Sequence, residues 1–189
     1  MRIIGGELKG RLFKPGKNFK ARPTTDFARE NLFNILNNRI DFAETKILDL
    51  FAGTGSISFE FASRGSQSVT TVEIDHVHYA FIASVITLLH LEKIIHLLRY
   101  DVLKFIPRCT EKYDLIFADP PYQLKSLSHI PDLVLKHQLI NPGGMLILEH
   151  GKSDNFASHP NLFEERVYGS VHFSFFKPSV VLPDEVSNS

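Results

Sequence analysis

Between residues 46 and 149, short apolar or β-branched runs alternate with longer segments whose apolar residues recur at helical spacing. Lys46–Phe51, Ser68–Glu73, Ile94–Arg99, Tyr113–Ala118 and Gly144–Glu149 predict strands. Ser56–Ser63, His76–His90, Val102–Ile106 and Ser126–Gln138 predict the helices between them, the first ending near Gly65 and the third closed by Pro107. This alternation predicts an α/β fold with a Rossmann-like, doubly wound, mostly parallel sheet. The rhythm then changes. Leu162–Tyr168 and Val171–Phe176 are strand-like runs joined at Gly169-Ser170, which predicts a closing antiparallel hairpin and seven strands in all.

The first part of the chain reads differently. Residues 1–22, punctuated by Gly5-Gly6, Gly10 and Pro15-Gly16, predict a small hairpin or irregular extension. Pro23 disfavours helix at Arg22, and Thr24, Thr25 or Asp26 can cap a helix running to about Leu36. The expected organisation is an extension over 1–22, one domain over 23–178 and a polar, frayed tail over 179–189.

Composition narrows this little. Hydrophobic residues make up 43% of the 189, enough for a sizeable core. No apolar run has the length of a membrane span, and the start lacks a signal-peptide pattern. The single cysteine, Cys109, excludes an internal disulfide and fits a reducing cytoplasm. The nine histidines, at 76, 78, 90, 96, 129, 137, 150, 159 and 172, show no metal-ligand spacing along the chain, so no metal is expected.

Charge adds an asymmetry. The formal net charge is zero, yet residues 1–22 carry seven basic residues and one acid. A basic arm on an acidic body fits a polyanionic partner, and it fits a solvated, Lys-rich edge equally well.

Three motifs carry chemistry. Ile47-Leu48-Asp49-Leu50-Phe51-Ala52-Gly53-Thr54-Gly55 is a strand entering a glycine-rich turn that opens a helix, the position where open α/β sheets bind ligands. Glu73, at the end of the next strand, has the spacing of a carboxylate that accepts ribose hydroxyls. The third glycine of a dinucleotide fingerprint is absent, Ser58 standing in its place, and no phosphate-binding Gly-Lys-Ser or Gly-Lys-Thr follows. The third motif is Asp119-Pro120-Pro121-Tyr122, at the end of the fourth strand. An exocyclic base amine is a poor nucleophile because its lone pair is delocalised into the ring. A carboxylate and a neighbouring carbonyl that accept its two N–H groups aim the nitrogen and favour the positive charge it develops. Tyr122 offers a face for a base taken out of its stack.

These motifs resemble the S-adenosylmethionine-dependent amino-methyltransferases. Met1-Arg2-Ile3-Ile4-Gly5-Gly6, Lys9-Gly10-Arg11, Arg22-Pro23-Thr24-Thr25-Asp26, Arg29-Glu30, Asn141-Pro142-Gly143-Gly144 and Tyr168-Gly169 are similar to the RsmD family, over roughly residues 1–177. Those bacterial enzymes methylate N2 of a guanine in 16S ribosomal RNA. The resemblance implies S-adenosyl-L-methionine as cofactor and 16S rRNA or an assembling 30S subunit as partner, with no membrane and no metal, for a cytoplasmic monomer. It implies that Asp49, Phe51, Ala52, Gly53, Thr54 and Gly55 wrap the methionine part and that Glu73 holds the ribose. Ile74 would pack on the adenine, with Asp101 near its amino group. Asp119, Pro120, Pro121 and Tyr122 would form the target-amine site. Arg2, Lys9, Arg11, Lys14, Arg22 and Arg29 would contact RNA. Many members carry Phe where this chain has Tyr122, and Tyr is common in adenine-N6 methyltransferases. Adenine-N6 methylation of DNA or RNA therefore remains an alternative, as does a catalytically inactive RNA-binding module. Glutamine methyltransferases share the chemistry but resemble an Asn-Pro-Pro-Tyr pattern, from which Asp119 departs.

Overall fold

The structure, a computed structural model, describes residues 1–16 and 25–179. The expectations that fall on Arg22, Pro23 and Thr24 lie outside the described residues, as does the tail beyond 179. In chain order the elements are α1 (Asp26–Leu36), β1 (Lys46–Leu50), α2 (Ser56–Ser63), β2 (Ser68–Glu73), α3 (His76–Leu89), β3 (Ile95–Arg99), α4 (Val102–Phe105), β4 (Tyr113–Ala118), α5 (Ile130–Lys136), β5 (Ile140–His150), β6 (Leu162–Tyr168) and β7 (Val171–Phe176).

The seven strands form one sheet in the order β3-β2-β1-β4-β5-β7-β6. β1 to β5 run parallel, and β7 is antiparallel to both β5 and β6. The direction of strand succession reverses between β1 and β4, so the crevice at their carboxyl ends is the switch point where such sheets take ligands. Leu50 pairs with both Val72 and Ala118, so three strands end level with one another. Side-chain alternation along β1 sends Ile47 into one core with Phe59, Ile82 and Phe117, and Leu48 and Leu50 into the other with Ile116, Val134 and Leu146. Asp49 therefore lies on the Ile47 face, beside α2.

Two elements differ from expectation. The helix expected over 126–138 is a 3₁₀ turn (Leu127–His129) followed by α5. Pro131 sits in the first turn of α5, since its missing N–H and its ring bar it from a helix interior. β5 begins at Ile140, earlier than Gly144, and accommodates Gly143 at φ 82° with a register shift against Tyr113 and Leu115. Among the described residues no helix is long and apolar enough to cross a membrane.

The described part of the basic arm, residues 1–16, is bound into the domain. Arg2 bridges Leu12 in antiparallel fashion, and the amide of Ile3 donates to Arg11 O at 3.0 Å. The side chain of Ile3 enters the core. Gly6, at φ 72°, passes so close to the end of α2 that an added Cβ would lie 1.9 Å from Ser63 O. Beneath the arm, the wholly buried Glu60 accepts from the amides of Ile4 and Gly5 (the latter at 3.3 Å) and pairs with Arg64. Arg29 completes this cluster and is a correction to the sequence reading. It is 1% exposed, with Nη2 2.7 Å from both Arg2 O and Asp26 Oδ1 and Nε 3.8 Å from Glu60. A guanidinium enclosed this way holds the arm to α1 and α2 and does not reach a phosphate. Burial lowers its pKa, with Glu60 and Asp26 opposing. Its place at the spacing of Leu32, Phe33 and Leu36 puts it on the inner face of α1.

Candidate active site

The turn after β1 is tightly built. Phe51 has φ 62°, Gly53 56° and Gly55 71°. A bulky residue in the left-handed region costs on the order of 1–3 kcal/mol and persists where its surroundings impose it. At Gly55 an added Cβ would lie 2.9 Å from the Phe59 ring and 3.1 Å from Ile82, so only glycine lets the chain turn into α2 there. The amide of Ala52 donates to Val72 O at 3.1 Å, which ties the turn to the end of β2.

Asp49 is buried at the head of this turn. Its Oδ2 accepts from the amide of Ser58 at 3.1 Å and from the Ser58 hydroxyl at 2.5 Å, and that hydroxyl lies 2.7 Å from Thr71 Oγ1. Ser58, which takes the place of a third glycine, is thus the residue that positions the carboxylate. Burial raises the Asp49 pKa to about 7, and the like charge of Glu73 adds to the rise against the two Ser58 hydrogen bonds. A carboxylate so poorly compensated is matched to a cation.

Glu73 is joined to the same turn. Its Oε2 accepts from the Gly53 amide at 2.7 Å and its Oε1 from the Asp75 amide at 2.7 Å, with His78 Nδ1 3.8 Å from Oε2. A carboxylate offers about four acceptor positions, so two remain for hydroxyl donors. Beyond it lies a depression of about 550 Å³ lined by Ile74, Arg99, Tyr100, Asp101, Lys104 and Arg108. Ile74 presents an apolar side chain that is 56% exposed. Asp101 caps α4 through Oδ1, accepting from the amides of Leu103 (2.8 Å) and Lys104 (3.4 Å).

Asp119 follows β4 on the other side of β1, its amide donating to Leu50 O at 3.3 Å. Pro120 is buried, whereas Pro121 and Tyr122 are exposed. The Tyr122 ring lies against Gly151 at the end of β5, 3.5 Å from where a Cβ there would be. The structure therefore brings Asp49, the glycine turn, Glu73 and Asp119 to one edge of three adjacent strands. Of the basic residues singled out, Lys9, Arg11 and Lys14 are exposed, and Arg2 pairs with Asp26 at 3.0 Å. Sequence reading missed Ser58 and Glu60. The latter is signalled only as an acid within the otherwise apolar run Phe59–Ala62.

The arrangement suits a nucleoside with a cationic extension: a carboxylate for the cation, a second for a diol, and an open apolar surface for a ring. A family model described as conserved hypothetical protein 95 matches residues 1–177. The ribosomal RNA small subunit methyltransferase D of Buchnera aphidicola subsp. Baizongia pistaciae is 27% identical, across 93% of this chain and 91% of that one. The Escherichia coli K12 protein of the same name is also 27% identical, across 94% and 89%. A solved structure of a hypothetical protein from Thermus thermophilus superposes with a TM-score of 0.81 at 27% identity, covering 94% of this chain and 99% of that one. The chain belongs to the family of conserved hypothetical protein 95, the RsmD methyltransferase family.

Proposed function

We propose that this chain transfers the methyl group of S-adenosyl-L-methionine to the N2 amine of a guanine in 16S rRNA. It acts as a cytoplasmic monomer on the RNA or on an assembling 30S subunit. The observation that carries the reading is the junction of β1 and β4, where the Asp119 amide meets the Leu50 carbonyl just before the glycine turn. The names of the two relatives, small-subunit rRNA methyltransferases, support RNA as substrate.

The bound cofactor supplies an electrophilic methyl group on a sulfonium. Ionised Asp49 faces its cationic methionine end. Glu73 accepts the ribose hydroxyls with its two remaining acceptor positions. Ile74 covers one face of the adenine, and Asp101 lies toward its amino group. On the other side of β1, Asp119 and the Pro120 carbonyl accept the two hydrogens of the base amine. That fixes the direction of the nitrogen lone pair and stabilises the positive charge growing on nitrogen. Asp119 is also the acceptor at hand for the proton the nitrogen then sheds. Pro120 and Pro121 stiffen the loop, and Tyr122 stacks the extruded base. Lys9, Arg11 and Lys14 neutralise phosphates.

Tyr122 favours one other reading, adenine-N6 methylation, and the product separates the two. Mass spectrometry of digested RNA after reaction yields N2-methylguanosine under the first reading and N6-methyladenosine under the second. Asp119→Ala is expected to lower methyl transfer by about a hundred- to a thousandfold while S-adenosylhomocysteine still binds. Full activity in that variant removes the role given to Asp119. Neutralising Lys9, Arg11 and Lys14 flattens the salt dependence of RNA affinity.

A further inference from the structure

Three strands bring together side chains that are far apart in sequence. His150 ends β5, Glu165 lies in β6 and His172 in β7. His150 is paired directly with His172, and Glu165 with Ser174, so all three project from one face of the sheet. Glu165 Oε1 is 3.2 Å from His172 Nδ1 and 3.8 Å from His150 Nε2, and all three ligand atoms lie within 4.8 Å of one another. The absence of ligand spacing along the chain does not bear on a cluster assembled across a sheet.

The geometry of His150 prepares it as a ligand. Its Nδ1 is 2.9 Å from Gly151 O, which can only accept, so Nδ1 carries the hydrogen and Nε2 presents a lone pair. Metal-binding histidines are oriented by the same kind of contact. The ring is wholly buried and packs edge-on against Phe156 at 4.9 Å, which prevents it from swinging away. The Ser174 hydroxyl lies 2.8 Å from Nε2. His172 and Glu165 reach the surface, so the cluster opens to solvent on one side.

We propose that His150 Nε2, His172 Nδ1 and the Glu165 carboxylate bind one divalent transition-metal ion, with zinc the best fit. Imidazole nitrogens and a carboxylate oxygen about 2.0–2.2 Å from zinc in a tetrahedron stand roughly 3.3–3.5 Å apart. The present separations, 3.2 Å to at most 4.8 Å, bracket that value, so rotations of His172 and Glu165 close the site once the hydrogen that His172 Nδ1 donates to Glu165 has moved to Nε2 of that ring. Two imidazoles select a borderline ion over magnesium, which takes oxygen ligands. Three protein ligands leave a fourth position for water or the Ser174 hydroxyl. The proposal is independent of the methyl-transfer reading.

The test uses the full chain without an affinity tag, stripped of metal by a chelator. Zinc chloride is titrated calorimetrically and thermal unfolding is followed in parallel. The expected result is one ion per chain and an unfolding midpoint that rises with zinc concentration, with neither effect from magnesium chloride. His172→Ala and Glu165→Gln each weaken zinc binding by about tenfold or more. Cys109→Ser, which removes the one thiol, leaves it unchanged. Saturable binding that ignores positions 165 and 172, binding lost with Cys109, or no saturable binding overturns the proposal. If either variant unfolds without metal, cobalt(II) added to the unaltered chain decides. Visible absorption of a tetrahedral nitrogen–oxygen site supports the proposal, and a thiolate band or no band overturns it.

Discussion

The two ends of α2 each meet a buried carboxylate, and the two are treated in opposite ways. At the amino end Asp49 has, among the described residues, only Ser58 on its Oδ2, and burial pushes its pKa up to about 7. Toward the carboxyl end Glu60 is enclosed by Arg29, Arg64 and the amides of Ile4 and Gly5. A buried acid supplied with cations and donors from its own chain fastens elements together. One left short of them has capacity for a ligand's charge. The same helix thus separates a structural end from a binding end.

The largest effect that sharpens this contrast is on stability. Glu60→Ala removes the carboxylate beside buried Arg29 Nε, leaves Arg64 and the amides of Ile4 and Gly5 without it, and is expected to cost about 3–5 kcal/mol, read as a lowered denaturation midpoint. A midpoint within experimental error of the unaltered chain would erase the structural half of the comparison. Next comes Asp49→Asn, which keeps the shape and removes the charge. S-adenosylhomocysteine affinity falls by roughly tenfold to a hundredfold, from the loss of about 1.5–3 kcal/mol of charged hydrogen bonding. The variant is no less stable above pH 7. Between the ordinary carboxylate range near pH 4 and about pH 7, the folded chain holds a proton on Asp49 that the unfolded chain has released. Stability from this group therefore drains away as pH rises through that window, and Asn abolishes the loss.

Ligand binding moves the other way with pH. A cationic amine needs Asp49 ionised, so affinity for S-adenosylhomocysteine rises with pH up to about 7 and levels off above it. The slope approaches tenfold per pH unit below pH 6, about 1.4 kcal/mol per unit. Calorimetry across that range, repeated with Asp49→Asn, checks it, and an unaltered pH profile in the variant assigns the titration elsewhere. The smallest effect belongs to Arg2, whose pair with Asp26 is half exposed. Arg2→Ala changes stability by less than about 1 kcal/mol, so a larger loss in chemical denaturation would make the exposed pair part of the structural cluster.

Much of the binding end was legible because it is local. A strand, a glycine turn and a following acid are adjacent in sequence, and strand ends that coincide in the sheet follow from the alternation. Asp49, Glu73 and Asp119 therefore fell at one edge as expected. The structural end was illegible because it depends on distant partners. Nothing near Arg29 in the chain shows that Glu60 lies beneath it, and a basic residue beside a basic arm reads as surface. The late start of α5 is legible in Pro131, since a proline within an apolar helical pattern marks a first turn. His150, Glu165 and His172 meet only through the β5–β7–β6 pairing.

The way Gly6 is pressed under Ser63 has a bearing on how the polypeptide is made. Ile4, Gly5, Glu7 and Leu8 donate their amides to Glu60 and Ser63, more than fifty positions later. Emerging from the ribosome well before α2, this strap has nothing to grip until that helix has been synthesised, so it settles after the helix it crosses. Early in translation Arg2, Lys9, Arg11 and Lys14, which flank the strap, are thus carried on a loose cationic thread beside a large polyanion, and synthesis of the helix anchors the segment between them.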